Sequence, residues 1–342
     1  MEQFLTITEL ADATGLEESL IRFYESEYVG QLPEKILRGN GLFFHPEAVS
    51  AFKNLHLRHR GGMESETVAP ARQNYARVIA VSSGKGGVGK SNLALNLAVE
   101  FQRFGKMTLV LDADLGMANI HLLAGIQPRH SLTDLIDSQV PISDLIAKGP
   151  AGVGIIPGGS GVLALADSTA SQRRQMLAAL EIMENNAQVI VVDTAAGMGV
   201  GVRDFLKAAD EIIIVLTQDI TSLADAYGLL KALRQEGLAR PVYSVINMVA
   251  SLQQAVGVAR RFADCATRFL DFEVKNIGYI MRDSAVGAAT ASRTPLNIFS
   301  HQSRAAKNIH NIAAALLRSE DEKIKNSSAF QRYMKLLNDC KT

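Results

Sequence analysis

The stretch Val78-Ile79-Ala80-Val81-Ser82-Ser83-Gly84-Lys85-Gly86-Gly87-Val88-Gly89-Lys90-Ser91 reads as a buried strand running into a phosphate-binding loop. Four consecutive apolar residues suit a strand covered on both faces. Glycines then let successive backbone N–H groups face phosphate oxygens, a lysine reaches the β- and γ-phosphates, and a hydroxyl serves Mg2+. Gly84, Gly89, Lys90 and Ser91 satisfy that pattern. The expected nucleotide cradle is Gly84, Gly86, Gly87, Val88, Gly89, Lys90, Ser91 and Asn92, with the phosphates at the N-terminus of a helix over 90–104. Lys85 is surplus to it. One lysine already occupies the cradle, so the second must point outward or toward a nucleotide held by another subunit.

Outward from the loop, short Val/Ile/Leu-rich runs recur at 78–82, 107–111, 188–192, 211–216, 242–246 and 276–280. They are separated mostly by helical patterns such as 90–104, 221–236 and 300–317. This alternation predicts an α/β fold, a mostly parallel sheet with helices on both faces. Residues 58–76 collect Gly, Pro, Ser and charge without sustained periodicity and read as a linker. The expected organisation is a small domain over 1–57, a linker over 58–76, a P-loop domain over 77–317 and a tail over 318–342.

Two of the strands close on acids. Thr108-Leu109-Val110-Leu111 runs into Asp112-Ala113-Asp114, and Val189-Ile190-Val191-Val192 into Asp193-Thr194. Carboxylates at strand ends beside a phosphate site suit water orientation and Mg2+ held through water. Taken singly, Asp112 or Asp193 is equally well read as a helix N-cap. Three acids at strand ends after a complete P-loop make coincidence a poor explanation.

Lys+Arg and Asp+Glu number 35 each, which excludes bulk positive charge as a general grip on nucleic acid or membrane. Cys265 and Cys340 are far apart with no partner at metal spacing, so neither a disulfide framework nor a zinc site is expected. No apolar run approaches the roughly 20 residues of a bilayer span, and Met1-Glu2-Gln3-Phe4 lacks the features of a signal sequence. The expectation is a soluble protein of the cell interior. His121 has no triad or ligand cluster at local spacing and is assigned no role.

The P-loop with its extra lysine and the strand-end acids resemble the MinD/ParA family of deviant-Walker ATPases over about residues 77–317. Within it, four segments are most similar to the FlhG/FleN flagellar-number regulators. They are Asp112-Ala113-Asp114-Leu115-Gly116-Met117-Ala118-Asn119-Ile120, Ile155-Ile156-Pro157-Gly158-Gly159-Ser160-Gly161, Thr221-Ser222-Leu223-Ala224-Asp225-Ala226-Tyr227 and Val245-Ile246-Asn247-Met248-Val249. The resemblance implies ATP and Mg2+ as cofactors, with Lys90 on the β/γ-phosphates, Ser91 and Asp193 serving Mg2+, and Asp114 positioning the attacking water. It implies Lys85 acting in trans across an ATP-sandwich homodimer. It also implies Asn247 at the adenine edge and Met281-Arg282-Asp283 as the adenine-side loop. Ala195 and the region of Met281 stand where the family usually has proline, and His121 where it often has a second acid; these departures bear on switch rigidity and hydrolysis rate.

The two ends of the chain suggest where such a switch works. Residues 4–25, with Gly15 between two short helical patterns and Asn40–Val49 as wing and helix start, resemble the MerR-type winged-helix domain. Through residue 60 this segment carries nine Asp/Glu against six Lys/Arg, with Glu17 and Glu18 where recognition-helix contacts to DNA would fall. That balance opposes phosphate binding and favours a protein-docking use, although Lys35, Arg38, Arg58 and Arg60 leave DNA open. At the other end Phe330, Tyr333, Met334 and Leu337 form an apolar helical stripe flanked by Arg332, Lys335 and Lys341. It suits either docking on its own domain or reversible attachment to an anionic membrane face.

The sequence therefore predicts an ATP-driven dimerising switch. By resemblance its output is flagellar number or placement, through an FlhF-type GTPase, flagellar C-ring proteins or a transcription regulator. The rivals are a ParA-like partition factor or ATP-gated DNA-binding regulator using the N-terminal domain, and an ATP-dependent scaffold for another polar structure.

Overall fold

Residues Arg77–Ser82 form strand β4 with every residue buried, as an apolar run between two covered faces requires. The computed structural model describes residues 4–16, 18, 21, 35–38, 41–53, 75–114, 118–132, 134, 140, 142–158, 183–184, 186–318 and 328–329. The chain divides into two units, Met1–Ala71 and Arg72–Thr342.

In the first unit, β1 (Leu5–Thr6) leads into α1 (Ile7–Thr14), and β2 (Lys35–Arg38) and β3 (Gly41–Phe44) follow. The three strands form an antiparallel sheet in the order β1-β3-β2. A capping box starts α1: the Thr6 hydroxyl accepts from the Glu9 N–H at 3.3 Å and the Glu9 carboxylate accepts from the Thr6 N–H at 2.8 Å. Gly15 ends it in the left-handed conformation, at the turn expected between two helices. Leu10, Leu16, Ile21, Phe44, Ala48 and Phe52 make a small core of their own. Glu18 accepts a 2.7 Å hydrogen bond from the Thr8 hydroxyl, which engages one of the two acids weighed against DNA binding. Glu17 lies outside the described residues.

The second unit begins at β4 and continues through α2 (Lys90–Arg103), β5 (Thr108–Ala113), α3 (Ile120–Leu123), α4 (Ile142–Leu145), β6 (Ala147–Lys148) and β7 (Gly154–Ile156). Then come β8 (Val189–Thr194), α5 (Val200–Ala208), β9 (Glu211–Leu216), α6 (Ile220–Gln235), β10 (Val242–Val249) and α7 (Leu252–Leu270). The unit closes with β11 (Val274–Met281), α8 (Ser284–Ala291), α9 (Leu296–Phe299) and α10 (Arg304–Arg318). The strand order is β11-β10-β9-β4-β8-β5-β7-β6, parallel except for the β6/β7 pair.

Alternate residues of each strand feed opposite cores. Val78, Ala80, Ile212 and Ile214 pack with Phe205, Leu229, Leu233 and Phe262 of α5, α6 and α7. Ile79, Val81, Ile213 and Val215 pack with Leu93, Leu97, Phe101, Ile309 and Leu316 of α2 and α10. Helices cover both faces, as the strand pattern predicts. The runs at 107–111 and 188–192 extend further than their apolar letters suggest, so Asp112 and Asp193 lie inside β5 and β8 rather than after them. The β6/β7 pair has no signal in the sequence: two and three residues are too short for a period to register.

Most of the expected linker, 58–74, and the apolar stripe 330–337 lie outside the described residues. Ala76 is buried, and its N–H donates to the Glu184 carbonyl at 3.1 Å, which places this end of the expected linker within the second unit. From the tail, Ser328 and Ala329 are buried, with the Ser328 hydroxyl and the Ala329 N–H donating to the Glu184 carboxylate at 2.5 and 2.9 Å.

A buried ion pair staples β4 to β9. The Arg77 guanidinium meets both Glu211 oxygens at 2.7 Å, and both side chains are almost wholly buried. Arg77→Ala removes the principal cation from a buried carboxylate and is expected to lose about 3–5 kcal/mol, while the paired change R77M/E211L stays near neutral. Urea unfolding of the two variants checks this.

Candidate functional site

The loop after β4 is shaped by what crowds it. Gly89 stands at φ 92° before the first residue of α2, and a Cβ there would strike the Asn247 amide. At Gly84 a Cβ would collide with the backbone of Asp225 in α6. Glycine is required at both places, at one for φ and close approach, at the other for close approach alone. The turn delivers Lys90 into a buried position at the start of α2.

Lys90 sits among acids. Burial pulls its pKa below the ordinary lysine value, opposed by the charges of Asp193 and Asp114. Burial likewise pushes Asp193 up to about 7, reinforced by Asp112 and Asp114 and opposed by a hydrogen bond from Ser91 and the charge of Lys90. Its Oδ1 is buried with no hydrogen-bond partner. Asp112 is pushed to about 6, again chiefly by burial, although it accepts backbone N–H bonds from Ile120 at 3.0 Å and Asp114 at 3.2 Å. Asp112 is not an N-cap, since Asn119 holds that position for α3; from inside β5 its carboxylate accepts the first N–H of α3, while its neighbour Asp114 faces the loop lysine.

A cavity of about 500 Å³ opens at this loop, lined by Gly87, Gly89, Lys90, Ser91 and Asn92 of the loop and by the more distant Asn119, Leu122, Leu123, Met248, Thr290 and Arg293. The remaining expected cradle residues, Gly84, Gly86 and Val88, shape the loop without walling the cavity. Lys85 is outside it. Its ammonium is exposed and donates to the Thr221 hydroxyl at 3.1 Å, at the start of α6.

The expected adenine-side residues carry structural bonds. Asn247 donates to the Val88 carbonyl at 2.8 Å and accepts from the Met248 N–H at 2.8 Å, tying the end of β10 to the loop. Asp283 caps α8 through the Ala285 N–H at 2.9 Å and accepts from the Ala305 N–H at 3.2 Å; these backbone bonds hold its pKa low. The Met281 N–H donates to the Asn308 side chain at 3.1 Å and the Arg282 N–H to the Val249 carbonyl at 2.8 Å. Met281, Arg282 and Asp283 are not among the described wall residues, where Met248, Thr290 and Arg293 stand instead. Thr290 and Arg293 lie some two hundred positions from the loop, and no local spacing could have found them.

Comparison with known proteins gives the family. The family described as AAA domain matches residues 76–237, and the MerR HTH family regulatory protein matches residues 5–72. The antiactivator FleN of Pseudomonas aeruginosa is 38% identical over 215 residues, covering 62% of this chain and 76% of that protein. The chain belongs to the MinD/ParA family of ATPases, in its FleN branch. This MinD/ParA ATPase is also 28% identical over 242 residues to the flagellum site-determining protein YlxH of Helicobacter pylori, covering 70% of this chain and 82% of that one. The septum site-determining protein MinD of Pyrococcus horikoshii, solved with Mg-ADP, shares its fold with a TM-score of 0.60 at 22% identity, covering 74% and 99% of the two chains.

The residues present fit Mg2+. A buried carboxylate oxygen lacking a partner, beside a serine hydroxyl, is the donor set of a site that keeps several waters on the metal. Ser91 and Asp193 would hold the ion, which when bound neutralises phosphate charge. In the MinD/ParA ATPase without nucleotide, a charged Asp193 is a burden. Its raised pKa means the folded state binds the proton more tightly than the unfolded chain, so its contribution to stability declines as pH rises from about 4 to about 7. Asp193→Asn is expected to raise the apo melting temperature by ~2–4 °C at pH 8, to lose that advantage progressively as pH falls from about 7 to about 4, and to abolish Mg2+-dependent hydrolysis. Melting curves across pH, with a phosphate-release assay, check this.

Proposed function

We propose that this ATPase is an ATP-dependent dimerising switch that regulates flagellar number or placement. The observation that carries the reading is the separation of the two lysines: Lys90 is buried in the cavity wall, while Lys85 is exposed outside it at the loop tip. Lys85 is thus available to a nucleotide bound by a second copy. The flagellar output is supported by the likeness to FleN and to the flagellum site-determining protein YlxH.

In this reading Lys90 neutralises the β/γ-phosphates, Ser91 and Asp193 serve Mg2+, Asp114 orients the attacking water and Lys85 completes the partner's site. Asn247 and residues 281–283 support the nucleoside side by fixing the end of β10 and the start of α8. The working segments are a MerR-like domain over 1–57, a linker over 58–76, the ATPase over 77–317 and a tail over 318–342. The dimer engages an FlhF-type GTPase, C-ring proteins or a transcription regulator, and its tail serves either docking on its own domain or reversible attachment to the inner face of the cell membrane. Hydrolysis returns a cytoplasmic monomer.

A second reading rests on the match of residues 5–72 to the MerR regulators. It makes the N-terminal unit a DNA reader, against the acidic balance of that segment. Specific mobility shifts that appear only with ATP would favour this reading.

Lys85→Ala is expected to keep ATP affinity within about threefold while losing the ATP-dependent dimer and its hydrolysis. Asp114→Ala is expected to retain the ATP-bound dimer with hydrolysis slowed on the order of 100-fold. Light scattering and phosphate release read both; a Lys85→Ala chain that dimerises but cannot bind ATP would return Lys85 to its own site.

A further inference from the structure

Among the described residues, four that are not glycine hold positive φ: Ala151, Met248, Asp271 and Arg293. Two of these, Met248 and Arg293, are walls of the cavity that starts at Lys90. Left-handed backbone is unfavourable for bulky side chains, and where it persists it collects at ligand clamps.

Arg293 occupies the more demanding position. Helix α8 ends in a Schellman motif, with the Thr294 N–H donating to the Ala289 carbonyl and the Arg293 N–H to the Thr290 carbonyl, both at 3.1 Å. The residue after the Ser292 cap must turn left-handed, a place that favours glycine. Arginine stands there at φ 50°, its backbone packed against the turn at Gly125 that follows α3. The residue is exposed and lines the cavity, and its side chain has no hydrogen-bond or ion-pair partner among the described residues. The conformation is therefore kept without any structural bond from the guanidinium.

Its place along the cavity indicates what it meets. Lys90 and Ser91 mark the β/γ end, and Asn92 follows them. The Thr290 hydroxyl lies 3.5 Å from the Asn92 side-chain oxygen, and Arg293 is a helical turn beyond Thr290. The same cavity is also lined by the apolar Leu122 and Leu123, which suit a base and sugar rather than a further phosphate.

We infer that Arg293 is a positioning residue for the nucleoside half of the bound nucleotide, donating to oxygens of the α-phosphate–ribose segment common to ATP and ADP. This rests on the cavity being the nucleotide site. A guanidinium there supplies charge-assisted hydrogen bonds in a fixed fork, which a lysine reproduces only in part.

The test is calorimetric titration of the full chain with ADP and with a non-hydrolysable ATP analogue, each with Mg2+. Arg293→Gly suits the left-handed position, so its melting temperature holds or rises. Its affinity for both nucleotides is expected to fall by the same factor, about tenfold. Arg293→Lys should recover part of the loss. Unchanged affinities overturn the inference, and so does a loss confined to the ATP analogue, which would move the contact to the γ-phosphate. Lys90→Ala separates the two failures. If it leaves both affinities intact, the cavity is not the nucleotide site; if it weakens them and Arg293→Gly does not, only the role of Arg293 falls.

Discussion

An ammonium and a carboxylate buried within reach of each other's charge, Lys90 and Asp193, impose a condition that the surrounding structure is arranged to meet. Neither group is comfortable there: burial alone drives the lysine down and the acid up. Each makes the other tolerable, with Ser91 and Asp114 adding to the balance. A site of that kind is poised for a polyanionic ligand and a divalent cation, because both species relieve charges that the protein alone leaves strained. The glycines of the loop, the close passage of α6 at Gly84 and the bond from Asn247 to Val88 all serve to hold the loop lysine in that place.

The helix that carries the loop is braced at its far end by a second polar cluster. Glu100 is buried and accepts hydrogen bonds from Asn297 and His310 at 2.6 Å and from Arg103 at 3.0 Å. Burial acts to raise its pKa, but these partners outweigh burial and hold it low. Asn96, one turn earlier, accepts from the Asn297 N–H at 2.9 Å. The α9–α10 segment is thereby fixed to α2, and with it the α8 turn that presents Thr290 and Arg293. Charge buried at one end of α2 thus binds ligand, and charge buried at the other end holds the helices that complete the pocket.

Much of this was legible in advance, for identifiable reasons. Six strands announced themselves because a parallel strand buried on both faces is apolar through its centre; β4, β8 and β9 are buried at every position, with polar residues only at their ends. The P-loop was legible because phosphate binding demands glycine and lysine in consecutive positions. The β6/β7 pair was not, being shorter than any period. Asp112 and Asp114 could not be told apart by spacing, since only the fold shows which of them accepts the Ile120 N–H at the start of α3. The loop at 281–283 lies at the end of β11, but its backbone N–H groups bond Asn308 and the Val249 carbonyl, and the Asp283 carboxylate accepts from α8 and α10.

What the sequence by itself determined was the local chemistry: a strand, a turn with its lysine and serine, and acids at the ends of neighbouring strands, each set by residues close together in the chain. It also set apart Lys85 as one cation more than a single site can use. Only the tertiary structure decided which distant residues share the cavity. Thr290 and Arg293 reach it because α8 hangs from the end of β11 and is held there by Asp283 and α10. The reason is physical: phosphate affinity is written in contiguous backbone N–H groups, whereas the remaining walls are whichever side chains the packing of helices on both sheet faces brings to the same strand ends.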